Sequence, residues 1–412
     1  MHRLFAFLLV VYAFLISVAD AFRLHRWVPV PMAVLLLAAA VVTAALAWQP
    51  RVPLTLGFFR QADLLLVVYV LTLGVTLFIS LRIEQKHINH FVAYTSVIGL
   101  YYFFVKFLCA AHDTFRRHQH WLRGALALSV FVTAVYTVLE FLDMNVLRLG
   151  ITSLVKFPGE EQPYEALFAL FTRARGFVAE SGFLALFFNI FVPMSFVYLR
   201  RAWGAKTAAA YLLLCFVAFV TTFSVAGLTF MGLGLVVALG MYLYDRYVIL
   251  LPLRSAVVLF SVVAAVMAIG LWIPTEFWEP VGAKLTLGDV SSGSFRLEGW
   301  VAAAAVAAEH PVFGTGIGST SLETGSGVLS FYLTMLKEAG VLALVSIVLF
   351  FASVFRQIAA LPSWNRYKYA YAASFTAAIC HLAVISDIWY PWLWLLCVLV
   401  AAEYAGRFEA AA

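Results

Sequence analysis

Charged residues are scarce in this chain. Asp, Glu, Lys and Arg make up 12% of its 412 residues, and hydrophobic residues make up 64%. Soluble domains are about 25% charged. No internal repeat is evident, and no segment has the composition of a soluble domain that folds alone. Basic residues never form a run longer than two, so the net charge of +6 does not indicate nucleic-acid binding. The composition predicts a polytopic membrane protein.

Cysteine is also scarce, and the sequence shows no metal-ligand cluster. The four cysteines all lie in apolar stretches and form no CxxC pair, which argues against a disulfide framework. His118 and His120 have only weak ligand spacing. We therefore expect buried free thiols, no metal site and no cofactor.

The apolar runs predict twelve transmembrane helices in a single integral membrane domain, residues 1–412. A helix needs about 20 apolar residues to cross the hydrocarbon core. The expected fold class is all-α and polytopic, with two long loops, 143–181 and 275–328, that contain short helices. The predicted spans are 4–22, 28–48, 62–82, 91–111, 121–142, 182–199, 207–225, 227–244, 249–274, 329–353, 369–386 and 388–406.

Basic residues set the expected orientation. With the N-terminus in the cytoplasm, the cytoplasmic segments hold 15 Lys and Arg and the outer segments hold 10. Basic residues accumulate on the cytoplasmic side of membrane proteins. We therefore expect both termini in the cytoplasm of a bacterial cell and both long loops in the periplasm. In these loops, an interfacial helix is predicted near 164–171 and another helix over 295–309.

The first long loop carries Arg173, Arg175, Gly176 and Glu180. Arginine on the outer face runs against the usual charge bias, and a guanidinium fork suits a phosphate or diphosphate. Arg173 and Arg175 are therefore candidate diphosphate ligands, and Glu180 is a candidate proton acceptor. The alternative is a surface loop in which Arg175 pairs with Glu180 or with lipid headgroups.

The second long loop carries Arg296, His310 and a glycine-rich turn at 314–318. Arg296 is a candidate second anion ligand, or an interfacial arginine paired with Glu298 or Glu309. His310 is a candidate general base, or it caps the end of the predicted helix. The turn has a GxGxG pattern without a preceding strand, so we expect it to re-enter the membrane rather than to bind a nucleotide.

Six other ionisable residues fall within predicted spans or at their ends, and such groups are functional candidates. Snorkelling to the interface explains most of them, because they lie near span ends. Lys337 and Glu338 are the exception that calls for a test. The six are Lys106, Glu140, Lys337, Glu338, His381 and Asp387.

The two arginine-bearing loops together resemble those of the O-antigen ligase and Wzy-type polysaccharide polymerase superfamily. The matching residues are Arg175-Gly176 with Glu180, then Arg296, then His310-Pro311-Val312-Phe313-Gly314-Thr315-Gly316. The resemblance covers roughly 170–345 in motif and the whole chain in topology.

The resemblance implies a metal-independent glycosyltransferase of the bacterial inner membrane that works at the periplasmic face. Its donor would be a saccharide on undecaprenyl diphosphate, a leaving group that Arg175 and Arg296 would hold. Its acceptor would be a glycan or lipid A-core, surrounding lipids would contact its helices, and a chain-length regulator would be a further partner.

One departure favours a polymerase over a ligase. Ligases of this family carry a histidine, then Asn, Ser or Gln, then nine further residues and a glycine. Counted back from Gly340, this spacing places Ser330 at the second position and Leu329 at the position of the histidine. Leucine cannot accept a proton, so Glu180 and His310 remain as candidate bases. We expect polymerisation of lipid-linked repeat units. The alternatives are a ligase that transfers the glycan to lipid A-core or protein, and a lipid-linked oligosaccharide flippase or other transporter.

Overall fold

The described chain is almost entirely helical. The computed structural model describes residues 2–19, 21–25, 28–48, 61–79, 84–111, 113–155, 166–167, 171–247, 293–319, 328–386 and 388–409. Within these residues, the helices are α1 His2–Leu15, α2 Val30–Trp48, α3 Gln61–Ile79, α4 Gln85–Ala110, α5 Thr114–Leu142, α6 Ser181–Ala202, α7 Ala205–Val220, α8 Val225–Tyr247, α9 Gly293–Glu309, α10 Phe331–Ala359, α11 Tyr367–His381 and α12 Pro391–Glu409.

Shorter elements interrupt and connect these helices. A π-helical turn, Ile98–Phe104, lies inside α4, and another, Asp143–Leu147, extends α5. Short 3-10 turns follow at Ile16–Val18 and Ile151–Leu154. Two strands, β1 Arg23–His25 and β2 Val28–Pro29, pair antiparallel between α1 and α2.

Six of the described helices are long and apolar enough to cross a membrane, namely α3, α4, α5, α6, α8 and α10. Four shorter apolar helices, α1, α2, α7 and α12, accompany them. The all-α class is therefore confirmed for the described chain, and these helices indicate a multi-pass membrane protein. The predicted span 249–274 lies outside the described residues, so a total of twelve spans stays a prediction.

Two predicted boundaries are confirmed within a few residues. Helix α7 ends at Val220 and α8 begins at Val225, which gives the tight hairpin expected between the seventh and eighth spans. Helix α9 ends at Glu309, two residues before Pro311. Proline cannot supply the amide that a continuing helix needs.

The interfacial helix predicted near 164–171 is wrong where that stretch is described. Ala166–Leu167 (β3) pairs antiparallel with Phe171–Thr172 (β4). The side chain of Asn145 explains the extended conformation of β4. Its Nδ2 donates to Thr172 O at 3.0 Å, and its Oδ1 accepts from Thr172 N at 2.7 Å. This pair of hydrogen bonds satisfies the Thr172 backbone as a neighbouring strand would.

Close packing in the bundle depends on small residues and on aromatic side chains. Gly234 of α8 faces the backbone of Ala373 of α11, and a Cβ there would overlap the Ala373 carbonyl. Trp392 and Trp394 of α12 are fully buried. The Trp392 indole donates to Ile16 O at 2.8 Å, which satisfies the indole N–H inside the core.

The helix connections gather at two ends of the bundle. We call one the Arg175 end; it comprises 143–155, 171–180, 221–224, 310–319, 382–386 and 388–390. Backbone hydrogen bonds fasten these segments to each other and to helix starts. Phe331 N, at the start of α10, donates to Leu382 O and Ile385 O at 2.9 and 2.7 Å. The candidate site lies at this end.

The opposite, Arg123 end comprises residues 111 and 113 and the connections 203–204 and 360–366. Arg123 of α5 forms an ion pair with Glu403 of α12, and its guanidinium lies 3.8 Å from the centroid of the Tyr367 ring. Lys368 Nζ of α11 lies 2.6 Å from Asp245 Oδ2 of α8. Ion pairs thus join four helices at this end.

Candidate functional site

The stretch 173–176 follows β4 and leads into the turn before α6, and two hydrogen bonds hold it to the turn between α7 and α8. Ala174 N donates to Thr221 O at 3.1 Å. Arg173 Nε donates to Thr222 O at 2.9 Å. The predicted ligand Arg173 therefore also serves, through Nε, to anchor this stretch to the neighbouring hairpin.

Glu140 is the residue that shapes the Arg-Gly motif. It lies in the last turn of α5, and its side chain is fully buried. Its Oε2 accepts hydrogen bonds from the backbone amides of Arg175 and Gly176, at 2.9 and 2.7 Å. The carboxylate thus fixes the backbone from which the Arg175 side chain projects.

Gly176 is required by the same geometry. Its φ is +61°, in the left-handed region that side chains disfavour. A Cβ at this position would lie 3.0 Å from Thr137 Oγ1 and 3.2 Å from the Leu184 methyl groups. The motif therefore needs glycine for both conformation and space, so that the turn can approach α5.

Snorkelling is wrong for three of the ionisable residues within predicted spans. Lys106, Glu140 and His381 are 1%, 0% and 1% exposed, so none of them reaches the interface. All three side chains lie inside the bundle instead. Lys106 Nζ, for example, lies 2.6 Å from Asp63 Oδ1 and donates to Tyr102 OH at 3.2 Å.

Sequence reasoning missed the role of Glu140, although a signal was available. Ser129, Thr133, Thr137 and Glu140 recur at spacings of four, four and three residues, which places them on one face of α5. All four are buried. Ser129 Oγ donates to Ser17 Oγ of the α1 extension at 3.0 Å. A polar stripe in an otherwise apolar helix indicates a face turned to protein rather than to lipid.

A second carboxylate orders the start of the first long loop. Asp143 accepts hydrogen bonds from the backbone amides of Leu149 and Gly150 on one oxygen and of Thr152 on the other. The last two distances are 2.9 and 3.0 Å. Asp143 therefore folds the chain back over the end of α5, close to Glu140.

The turn 310–319 docks onto a break in α10. Gly340 has φ +74° and ψ −176°, so the helix is interrupted there. Val341 N, just after the break, donates to Pro311 O at 2.8 Å. A Cβ on Gly340 would overlap the Val312 carbonyl, so glycine is needed for this approach. The predicted entry of this turn into the membrane stays a prediction, whereas its packing into the notch of α10 is a feature of the fold.

Lys337 and Glu338 fasten this turn through backbone and side chain. Thr315 N donates to Lys337 O at 2.9 Å, and Gly316 N donates to Glu338 O at 2.9 Å. Gly318 N donates to the Glu338 carboxylate at 2.8 Å. The two side chains are 4% and 3% exposed. The pair singled out from the sequence is therefore part of the seat for the glycine-rich turn.

The two candidate bases are exposed. Glu180 precedes α6, where its carbonyl accepts from the amides of Phe183 and Leu184 at 3.2 Å, and its side chain makes no capping bond. His310 directly follows α9, and its carbonyl accepts from Gly314 N at 3.0 Å. Glu180 and His310 are exposed at the Arg175 end, and Arg175 is partly buried.

Arg296 belongs to the first turn of α9, but its side chain lies outside what is described. Helix α9 packs against α10 and leads directly into the docked turn 310–319. A meeting of Arg175 and Arg296 on one anion therefore stays a prediction. Among the described residues, no group of three His, Cys, Asp or Glu side chains is placed to hold a metal ion.

The arrangement holds the backbone of Arg175 by hydrogen bonds, five residues before the exposed Glu180. Buried Glu140 and Glu338 hold the backbone amides of two turns at the Arg175 end, 175–176 and 314–318. The exposed side chains of Glu180 and His310 lie on the segments that carry these turns. No protein-family model matches this chain, and no curated protein matches it either.

Proposed function

We propose that this protein is a membrane-embedded glycosyltransferase that polymerises undecaprenyl-diphosphate-linked repeat units at the periplasmic face of the bacterial inner membrane. The observation that carries the proposal is the cradle that Glu140 builds for Arg175 and Gly176. The buried Glu140 carboxylate accepts hydrogen bonds from both backbone amides of the Arg-Gly motif, and so fixes the backbone that carries Arg175 at the end of a membrane bundle. Such preorganisation is what binding of a developing diphosphate charge requires.

In the proposed reaction, an acceptor hydroxyl attacks the anomeric carbon of the lipid-linked glycan. A new glycosidic bond forms, the bond to the diphosphate oxygen breaks, and the electron pair leaves with undecaprenyl diphosphate. Arg175, with Arg296 and Arg173 as further ligands, stabilises the charge on that leaving group. Glu180 or His310 accepts the hydroxyl proton. The exposure of these two side chains supports their access to an acceptor.

The test is product formation from lipid-linked repeat units by the purified protein in nanodiscs. We expect Arg175→Ala to lower the rate about 100-fold or more, because a charge-stabilising donor in a preorganised site contributes on this scale. Arg175→Lys should recover only part of the rate, since a lysine lacks the planar fork.

The matched control is Arg148→Asn, which removes an exposed arginine from the same end of the bundle. Arg148 has φ +53°, a conformation that asparagine tolerates. Its product yield should equal that of the unchanged protein. Equal rates for Arg175→Ala and Arg148→Asn would refute the proposed role of Arg175.

The same assay separates the alternatives. A ligase would leave repeat units unjoined until purified lipid A-core or an acceptor protein is added, and would then modify that acceptor. A flippase would move the lipid-linked glycan across the bilayer of a sealed vesicle without forming a glycosidic bond. Substituting Glu180→Gln and His310→Gln separately identifies the base, because only loss of the base should remove the acidic limb of the pH–rate profile, where protonation of the base lowers the rate.

A further inference from the structure

We propose that three aromatic side chains at the Arg175 end, His90, Trp389 and Tyr390, form a stacking site for a sugar ring of the lipid-linked glycan. We call these three residues the aromatic platform. This inference deepens the proposed function and rests on it, since it assigns the part of the protein that recognises the saccharide rather than the diphosphate.

Buried aromatic rings pack against the platform and support it. The Trp389 ring lies 4.2 Å from the ring of Tyr94 with an interplanar angle of 31°, and His90 meets Trp389 edge-on at 5.8 Å. Tyr390 stacks on Trp392 at 4.2 Å and 13°. Tyr94 and Trp392 are 2% and 0% exposed, whereas the three platform residues are partly exposed. Buried rings therefore support partly exposed ones, which lowers the entropy lost when a ligand stacks on them.

The platform lies between the two motifs. On one side, Tyr390 contacts Phe183, with ring centroids 4.7 Å apart, and Phe183 belongs to the first turn of α6, just after Glu180. On the other side, Gly318 of the docked turn approaches His90 so closely that a Cβ would lie 3.1 Å from the imidazole Cγ. A group bound on the platform would therefore have both candidate bases' segments as neighbours.

The chemistry of these rings suits a saccharide. Aromatic faces carry a negative quadrupole, which attracts the polarised C–H groups on one face of a pyranose. Tyr and His also provide hydrogen-bonding groups for hydroxyls at the rim.

The packing also differs from that of a lipid-facing aromatic belt, whose rings lie at the membrane interface. Trp121, Trp203 and Trp364, near the Arg123 end, fit such a belt because they are 67%, 69% and 73% exposed. Trp389 and Tyr390 instead pack inward on other aromatic rings.

The test is equilibrium binding by the full chain in nanodiscs of two probes, undecaprenyl diphosphate alone and the same lipid carrying the host's repeat-unit oligosaccharide. For the unchanged protein we expect tighter binding of the glycan-bearing probe. Trp389→Leu should weaken binding of the glycan-bearing probe about fivefold and leave binding of the sugar-free lipid unchanged. Trp389→Phe, which keeps an aromatic face, should restore most of the difference.

Trp364→Leu is the matched control, and each variant's melting temperature reports whether it is folded. The platform is refuted if Trp389→Leu and Tyr390→Leu, both folded, bind the glycan-bearing probe as well as the unchanged protein does. It is also refuted if the unchanged protein binds the sugar-free lipid equally well. Failure to bind either probe would instead overturn the proposed function, and the platform with it.

Discussion

Carboxylates are used differently at the two ends of this bundle. At the Arg123 end, Glu403 pairs with Arg123 and Asp245 pairs with Lys368. These bonds join one helix to another. At the Arg175 end, buried carboxylates accept hydrogen bonds from backbone amides of loops, and these carboxylates are Glu140, Asp143 and Glu338.

The difference separates stability from shape. An ion pair between helices stabilises the bundle but leaves loop conformation to other contacts. A carboxylate that holds loop amides determines where the loop backbone runs, and so where its side chains project. Substitutions at the Arg123 end should therefore alter stability alone, whereas substitutions at the Arg175 end should alter both stability and activity.

The largest effect is expected for Gly340→Ala. A Cβ there overlaps the Val312 backbone, and the φ of +74° is unfavourable for alanine. We expect the free energy of unfolding to fall by about 4 kcal/mol, because backbone atoms cannot move aside as a side chain can. The seat of the turn 310–319 should be lost with it, and product formation should cease.

Thermal unfolding in detergent measures the loss of stability. Gly232→Ala is the control, since Gly232 lies in α8 with open space around its Cβ position. If Gly340→Ala has the same melting temperature as the unchanged protein and keeps its activity, the turn 310–319 does not pack against Gly340.

The next largest effect is expected for Glu140→Ala. It leaves the amides of Arg175 and Gly176 without their buried acceptor, at a cost of about 2–4 kcal/mol in the free energy of unfolding. Glu140→Gln keeps an acceptor oxygen and should lose less. The informative readout is the ratio of the two activities at matched folded fraction, with Glu140→Ala the lower. Identical activities would show that this carboxylate does not position Arg175.

The sequence predicts the helices of this fold better than its site. Long apolar runs and a proline fix the spans and the end of α9, because these signals are local. The role of Glu140 depends on amides 35 and 36 residues further along the chain, and the pairing of Asn145 with Thr172 spans 27 residues. No local pattern states which loop meets which helix. The arginines are candidates because the charge bias predicts an outer face for their loops, and the glycine-rich turn is recognised by its spacing.

A double-mutant cycle on Lys368 and Asp245 tests the role of the Arg123 end. Their side chains are 4% and 15% exposed. Lys368→Met and Asp245→Asn should each lower the free energy of unfolding by about 1–3 kcal/mol, and the double variant by less than their sum. Product formation per folded molecule should not change. A specific loss of activity would show that the Arg123 end takes part in function.

The smallest effect is expected when Gly176→Ala is compared with Gly150→Ala. Both glycines have positive φ, +61° and +76°, so both variants carry similar backbone strain of about 1 kcal/mol. Only Gly176 is also crowded, by Thr137 and Leu184. Gly176→Ala should therefore melt lower and be less active. Equal melting temperatures would mean that the turn is less closely packed on α5 than described.

Equilibrium binding of undecaprenyl diphosphate by the single and double alanine variants tests whether Arg175 and Arg296 hold one diphosphate, as we propose. We predict that each single variant binds about tenfold or more weakly, and that the double variant loses less than the product of the two losses, because both arginines share one ligand. Undecaprenyl monophosphate should discriminate less between the variants. Unchanged affinity in Arg175→Ala, or strictly multiplicative losses in the double variant, would contradict the claim.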